Sequence, residues 1–332
     1  MRILVTGAGG YIGRHLVPRL SDEGHEVVQL WRDHSPDPWL FQIENDNYYQ
    51  VNLATVNVQS MALELDDIDT VIHLAGRVDI NLQPDPKGAH LPPVPGPCDI
   101  GALYRDNVLA TANVLQYCLE AKVKHLIFAS TQAVYGNPTT EDDFYYELAP
   151  LEHYASSKLA AERLLNLGRV SGLAVTILRL PGVYGGDRKS GAVYNMCRRA
   201  LTEGRIRVEL SYPLPINVLH IEDVVEAFDR VVTYDLPPSH PMGVAADGSI
   251  MFSRPYDGDI VDITGPELCN LPLLAEEIGE LTGAAVEFKG PEQPIMEPAF
   301  YGRPTAPCIN PWAPKPRKER LAQVLEEIRR GT

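Results

Sequence analysis

The sequence predicts an α/β fold, a doubly wound parallel sheet followed by a smaller C-terminal α/β domain. Three observations carry this reading: short apolar strands alternate with amphipathic segments over the first 180 residues, a glycine-rich turn joins the first strand to the first helical segment, and the pattern turns irregular and proline-rich after Leu180. Arg2 to Thr6 reads as a strand, Tyr11 to Asp22 as a helix and Glu26 to Leu30 as a second strand introduced by Gly24-His25. Pro18 falls inside that first helix, where its missing N–H predicts a kink. The alternation continues through the strand Asp69 to Ala75, the helix Asn107 to Ala121, the strand His125 to Ser130, the helix Tyr154 to Leu167 and the strand Ala174 to Leu178. Repeated strand-helix units of this kind build a parallel sheet covered on both faces.

Beyond Leu180, helical pieces are expected at Val224 to Tyr234, Leu273 to Thr282 and Lys318 to Arg329. Two apolar strands there, Asn217 to Ile221 and Asp259 to Ile263, are expected to return to the main sheet, so the two domains should interleave. The division is 1–178 with about 216–235 and 259–264 for a nucleotide-binding domain, and 179–215, 236–258 and 265–332 for a substrate-binding domain. The proline-rich stretches 83–98 and 290–316 read as long loops of the lid or binding type.

Composition removes several classes of function. The 332 residues carry 29 Lys plus Arg against 44 Asp plus Glu, a net charge of −15 that repels nucleic-acid backbones, and no basic stripe opposes it. No stretch approaches the roughly 20 apolar residues of a membrane helix, and the N-terminus runs straight into glycine rather than into a signal peptide, so a cytoplasmic protein is expected. Five widely spaced cysteines without a C-x-x-C pair argue against a disulfide framework or a zinc site, and no metal is expected.

The segment Val5-Thr-Gly-Ala-Gly-Gly-Tyr-Ile-Gly13 places Gly7, Gly10 and Gly13 between strand and helix. There a chain can turn tightly and bring a helix N-terminus against a pyrophosphate, which points to a Rossmann-type dinucleotide site. An NAD site presents Asp or Glu at the end of the second strand for the ribose 2′-hydroxyl, and an NADP site presents Arg for the 2′-phosphate. This strand ends Gln29-Leu-Trp31-Arg32-Asp33. Trp31 stands where the acid would be and Arg32 can pair with phosphate, so NADP(H) is favoured; NAD(H) bound through Asp33 is the alternative.

Tyr154-Ala-Ser-Ser-Lys158 puts a phenol and an ammonium four residues apart, on one face of a helix. A neighbouring cation favours the phenolate and is expected to lower the tyrosine towards working pH for proton exchange with an alcohol or carbonyl. Ser130-Thr131 closes a strand at the sheet edge where α/β ligands bind, followed by Gln132-Ala-Val-Tyr135-Gly136.

Taken in order, the three glycines, Thr131, Tyr154 and Lys158 resemble the extended short-chain dehydrogenase/reductase family, the nucleotide-sugar epimerase/dehydratase group. Further matching pieces are His73-Leu-Ala-Gly76, Asn107, Arg179-Leu-Pro-Gly-Val-Tyr-Gly185, His220-Ile-Glu-Asp223 and Asp262-Ile-Thr-Gly-Pro266. The resemblance implies Tyr154 as general acid/base, Lys158 as the group that lowers its pKa and binds the nicotinamide ribose, and Thr131 as hydrogen-bond partner of the reacting oxygen, with hydride passing to or from the nicotinamide. It implies that Gly7, Gly10, Tyr11, Ile12 and Gly13 hold the pyrophosphate, Asn52 and Leu53 the adenine, and Leu74, Ala75, Gly76, Asn107, Pro181 and Val183 further parts of the cofactor. It also implies a homodimer formed by the helices Asn107 to Ala121 and Tyr154 to Leu167. His220 matches a packing position.

Some positions depart from that pattern. Dehydrating members carry an acid after the catalytic Thr, whereas this chain has Gln132-Ala133, which disfavours 4,6-dehydration. Gly182 and Ile216 stand where the family places an Asn and an Arg that contact the substrate diphosphate. Gln132, Gly182 and Arg188 are the candidate substrate contacts. The resulting expectation is an NAD(P)-dependent oxidoreductase or epimerase acting on a hydroxyl or carbonyl carbon of a sugar-like substrate, with a nucleotide sugar foremost. An NADP-dependent ketoreductase of a non-sugar carbonyl is the alternative, and a dinucleotide-sensing regulator without chemistry is a third class.

Overall fold

A computed structural model of the chain describes residues 1–32, 41–42, 47–79, 82–83, 94–136, 148–168, 173–209, 215–233, 260–263, 269–289 and 314–331. Asp33, the segment 236–258 and most of the two proline-rich stretches lie outside the described residues.

The elements run β1 (Arg2–Thr6), α1 (Gly13–Asp22), β2 (Glu26–Arg32), β3 (Phe41–Gln42), β4 (Tyr48–Val51), α2 (Val58–Glu64), β5 (Thr70–His73), β6 (Leu82–Gln83), β7 (Val94–Pro95) and α3 (Ile100–Tyr104). A π-turn at Arg105–Leu109 leads into α4 (Ala110–Glu120), then β8 (His125–Thr131), a 3-10 turn at Gln132–Tyr135 and α5 (His153–Gly168). The chain continues through β9 (Ala174–Leu180), β10 (Gly182–Tyr184), α6 (Ala192–Glu203), β11 (Arg205–Glu209), β12 (Pro215–Ile216), β13 (Val218–His220) and α7 (Ile221–Thr233). Last come β14 (Ile260–Asp262), β15 (Cys269–Asn270), α8 (Leu271–Thr282), β16 (Ala285–Lys289) and α9 (Arg317–Gly331).

Seven parallel strands and one short antiparallel edge strand form the central sheet, in the order β14-β9-β8-β5-β1-β2-β4-β3. Each central strand is apolar on both faces because helices cover both. In β1, Leu4 faces the layer built from α2, α4 and α5, where it meets Val114, Tyr117 and Leu165. Its neighbours Ile3 and Val5 face the opposite layer of α1 and α7, with Leu16, Leu20, Val224 and Phe228. The strand period of two thus sorts one apolar run into two cores.

A third apolar cluster gathers α6, α8 and α9 through Val193, Cys197, Leu274, Ile278, Leu321 and Val324. Ion pairs secure its edges: Arg317 Nη2 lies 2.7 Å from Glu277 Oε1, and Arg320 donates through Nε to Asp223 Oδ2 at 2.9 Å.

Two expectations change in detail, and one of the two strands expected to return to the sheet does so. Residues Val218–His220 do not join the central sheet but pair with Gly182–Tyr184 in a two-stranded ribbon, because Gly182 N–H donates to Asn217 O right after β9 ends. Ile260–Asp262 does join it, beside β9. The helix expected from Asn107 is preceded by α3 and interrupted by the π-turn, and Asp99 starts it by accepting from Ala102 N–H at 2.9 Å.

Candidate active site

The glycine turn lies over the C-terminal edge of β1. Gly7 has φ +71°, and a Cβ there would sit 2.7 Å from Ala75 N; a Cβ at Gly13 would sit 2.6 Å from Ala8 O. Only glycine lets the turn close against Ala75 and start α1 beneath it. Gly7 N–H donates to Leu30 O at 3.0 Å and Gly10 N–H to Gly7 O at 2.9 Å, tying the turn to β2 and closing it on itself.

Beside the turn opens a cleft of about 340 Å³ lined by Gly7, Gly9, Gly10, Trp31, Arg32, Asn52, Leu53, Leu74, Ala75, Gly76, Asp106 and Ala110, among others. Of the residues expected at a dinucleotide, Gly7, Gly10, Arg32, Asn52, Leu53, Leu74, Ala75 and Gly76 therefore meet in one place. Asn52 Oδ1 caps its own turn by accepting from Ala54 N–H at 3.1 Å. Gly13 begins α1 and Ile12 is its N-cap residue. Tyr11 reaches away from the cleft, its hydroxyl donating to Gly185 O at 2.8 Å and its ring lying 5.3 Å from both the Arg14 and Arg188 guanidinium carbons. Arg188 Nη1 donates to Val183 O at 2.9 Å, so Tyr11, Val183 and Arg188 form one junction between α1 and the loop after β10. Pro181 lies between β9 and β10.

Thr131 ends β8 and its hydroxyl accepts from Ala133 N–H at 3.2 Å, which starts the 3-10 turn. Facing it, α5 begins where the buried Glu152 carboxylate accepts from Tyr154 N–H at 2.6 Å and Ala155 N–H at 2.7 Å. That cap fixes the start of the helix and brings the buried Tyr154 phenol close to Thr131. One turn on, Lys158 is also buried, its Nζ 4.0 Å above the Phe128 ring. Asn107, in the π-turn, donates to Ser157 Oγ at 2.8 Å and to Arg77 O at 3.0 Å, which joins that turn to α5. Gln132 uses its amide N–H on Ile263 O at 3.0 Å. Gly182 opens β10 and offers no side chain.

The charge states differ from the sequence expectation. Burial pushes the Tyr154 phenol well above its usual range and the nearby Glu152 charge adds to that, while the Thr131 hydroxyl opposes it. Burial pulls Lys158 down to about 7, opposed by Glu162. For both groups burial is the largest cause of the shift, and it disfavours the charged form of each. The pair is a neutral acid beside an ammonium that titrates near neutrality, a setting in which one proton moves readily.

A polar network supports β8 from behind. Arg179 Nε and Nη2 donate to the two Glu162 oxygens at 3.1 and 2.7 Å, Ser130 donates to Glu162 Oε1, and Arg179 Nη1 donates to Tyr135 Oη at 2.7 Å. Tyr135 in turn donates to Asp262 Oδ2 at 2.7 Å. Glu162 sits one helical turn beyond Lys158, a spacing that sequence alone could have flagged. On the other side of β5, His73 Nδ1 lies 2.7 Å from Thr6 Oγ1 and Nε2 lies 3.0 Å from Thr111 Oγ1, and burial pulls this ring down to about 3. His220 packs edge-on against Tyr184, as its packing assignment implies.

A model of the NAD dependent epimerase/dehydratase family matches residues 3–87 and 98–242, more than half of the chain. The chain belongs to this family. An uncharacterized UDP-glucose epimerase of Bacillus subtilis is 30% identical over 244 residues, 70% of this chain and 72% of its own length. Protein CapI of Staphylococcus aureus is 24% identical over 256 residues, 72% of this chain and 71% of its own. Among solved structures, MoeE5 in complex with UDP-glucuronic acid and NAD aligns over 100% of both chains with a TM-score of 0.71 at 25% identity. The UDP-glucose 4-epimerase of Thermotoga maritima aligns over 100% of this chain and 99% of its own with a TM-score of 0.70 at 21% identity. This epimerase/dehydratase family member is a nicotinamide-dinucleotide enzyme with a Rossmann-type sheet, and the glycine cradle at Gly7 and Gly13 fits such a group. Among the described residues no helix is long and apolar enough to cross a membrane.

Proposed function

We propose that this family member interconverts a hydroxyl and a carbonyl on the sugar of a nucleotide sugar, as an epimerase or a net oxidoreductase, with Tyr154, Thr131 and Lys158 as its catalytic set. The observation that carries the reading is the buried Tyr154 close to Thr131 at the end of β8, one helical turn from the buried Lys158, whose Nζ lies 4.0 Å above the Phe128 ring. UDP-sugars are the first substrates to test, because MoeE5 and the Thermotoga maritima epimerase are described with UDP-glucuronic acid and UDP-glucose.

As the neutral phenol, Tyr154 Oη gives its proton to the substrate oxygen when the carbonyl is reduced; in the opposite direction it is the phenolate that takes the proton from the substrate hydroxyl. Thr131 Oγ1 hydrogen-bonds the same oxygen and holds it against the phenol. Lys158 answers the charge left on Tyr154 and binds the nicotinamide ribose. A nicotinamide dinucleotide held along Gly7, Gly10, Leu74, Ala75 and Gly76 would supply the hydride chemistry at the substrate carbon. The two positions after Thr131 that carry an acid in dehydrating members are Gln132 and Ala133 here, which speaks against 4,6-dehydration.

NADP(H) is the favoured form, supported by Trp31 in place of an acid and Arg32 at the cleft, with NAD(H) the alternative. Residues 1–178 with 216–235 and 259–264 form the dinucleotide domain in this reading, and 179–215, 236–258 and 265–332 the substrate domain; the separate apolar cluster of α6, α8 and α9 supports that division. Exposed Tyr104, Leu109, Leu119 and Leu167, on or beside α4 and α5, support a homodimer.

A ketoreductase of a non-sugar carbonyl is the second reading, favoured by Gly182, whose only polar offering is its backbone, and by Ile216. Tyr154→Phe tests the catalytic set. Turnover of UDP-sugars should fall by about 10²–10⁴-fold while the fold is kept; a variant within threefold of the parent overturns the proposed mechanism.

A further inference from the structure

Three arginines from separate segments converge on the carboxylate of Asp106, which with Arg32 lines the cleft. Arg32 Nη2 lies 2.9 Å and Arg77 Nε 3.0 Å from the same oxygen, Asp106 Oδ2, and Arg105 Nε lies 3.2 Å from Asp106 Oδ1. The Asp106 side chain is 7% exposed and the three guanidinium side chains are 44%, 36% and 49% exposed. Burial pushes the Asp106 carboxyl up, but the hydrogen bonds from Arg77 and Arg32 outweigh this and hold it below its usual range, so it is an anion at neutral pH. Among the described residues, this one anion balances only one of the three cations. The other two are an excess of positive charge beside Trp31, Asn52 and Gly76, in a chain whose net charge is −15.

The arrangement is held from outside the cluster. Arg77 N–H donates to Asn107 Oδ1 at 2.6 Å and Asn107 Nδ2 donates back to Arg77 O, so the backbone of Arg77 is clamped by the residue next to Asp106. Arg105, Asp106 and Asn107 all lie in the π-turn, a widened turn of the kind found at functional sites.

We infer that Arg77 and Arg105 join Arg32 as the seat for the 2′-phosphate of NADP(H), with Asp106 as the positioning residue that keeps the three guanidinium groups converged. The inference rests on the dinucleotide reading of the cleft. A phosphomonoester carries about −1.5 to −2 charges at neutral pH and three acceptor oxygens, which matches the charge excess and the forked donors. A ribose 2′-hydroxyl has no charge to offer the same groups, so discrimination follows from the excess itself.

The test is calorimetric titration of the full chain, stripped of nucleotide, with NADP⁺, NAD⁺, and the fragments 2′,5′-ADP and 5′-AMP. NADP⁺ should bind at least about tenfold more tightly than NAD⁺, and its affinity should fall more steeply with added salt. The double variant Arg77→Ala/Arg105→Ala should lose on the order of tenfold or more in NADP⁺ and 2′,5′-ADP affinity, with NAD⁺ and 5′-AMP shifted by less than about threefold. An equal loss for both dinucleotides, or a wild-type preference for NAD⁺, overturns the 2′-phosphate seat and leaves the dinucleotide reading standing. Binding of neither dinucleotide to the wild-type chain overturns both. The salt dependence of the wild-type protein decides the question even if the double variant does not fold.

Discussion

Two polar clusters flank the cleft, and they are built on opposite principles. Behind β8, the Arg179 cation is matched by the Glu162 carboxylate through two hydrogen bonds, with both side chains only 2% exposed. At the cleft, among the described residues, three cations face one anion and the guanidinium groups are open to water. Charges removed from water must be matched and hydrogen-bonded, because an unmatched one costs several kcal/mol. Charges left at a surface can stay unmatched at little cost and remain free to meet a ligand. The balanced cluster therefore holds the catalytic strand in place, and the unbalanced one is suited to binding.

Removing each central carboxylate sharpens that contrast most. Glu162→Ala leaves Arg179 buried beside Ser130 without its partner and should lower unfolding free energy by about 3–5 kcal/mol in chemical denaturation. A loss under about 1 kcal/mol would mean that the buried cluster is open to water after all.

Acid should attack the same interior next. His73, bridged between Thr6 and Thr111, and His125, 2.8 Å from Thr176 Oγ1, are pulled by burial to about 3 and about 4. In the unfolded chain both rings titrate near 6.5. As pH falls below that value the unfolded state takes up protons that the folded state refuses, so stability drops from about pH 6.5 downwards and levels off only near the folded values. Each ring should cost about 1.4 kcal/mol per pH unit in that window, seen as a falling denaturation midpoint. A flat profile between pH 6.5 and 5 would show that these rings are already charged in the folded chain.

The smallest effect is expected at the cleft. Asp106→Ala leaves guanidinium groups that water can serve, so stability should change by about 1 kcal/mol or less. A loss as large as that of Glu162→Ala would erase the distinction between the two clusters.

Much of the cofactor side is legible in the sequence because it is written at short range. Gly7 and Gly13 announce themselves through spacing: Gly13 is fixed by contacts within its own turn and Gly7 by its φ of +71°, although the atoms a Gly7 Cβ would meet belong to the distant Leu74–Ala75. Tyr154 and Lys158 share a helix face whatever the rest of the chain does, and Thr131 is placed by the end of an unbroken apolar strand. The arginine cluster is not legible in this way. Arg32, Arg77 and Arg105 end β2, follow β5 and enter the π-turn, and they become neighbours only because β2 and β5 lie either side of β1 in the sheet. No periodicity links them. Likewise Val218–His220 has the apolar look of a sheet strand, but its pairing with β10 takes the hydrogen bonds that would have joined it to the central sheet.

By itself the sequence determined the alternation of strands and helices, the glycine cradle and the order of the catalytic set, because each depends on dihedral freedom and spacing within a few residues. The tertiary structure alone decided which charges are matched in the interior and which remain open at the cleft. It also decided that burial, rather than the Lys158 charge, sets the proton state of Tyr154, because dehydration is a property of everything packed around a group and not of its neighbours in sequence.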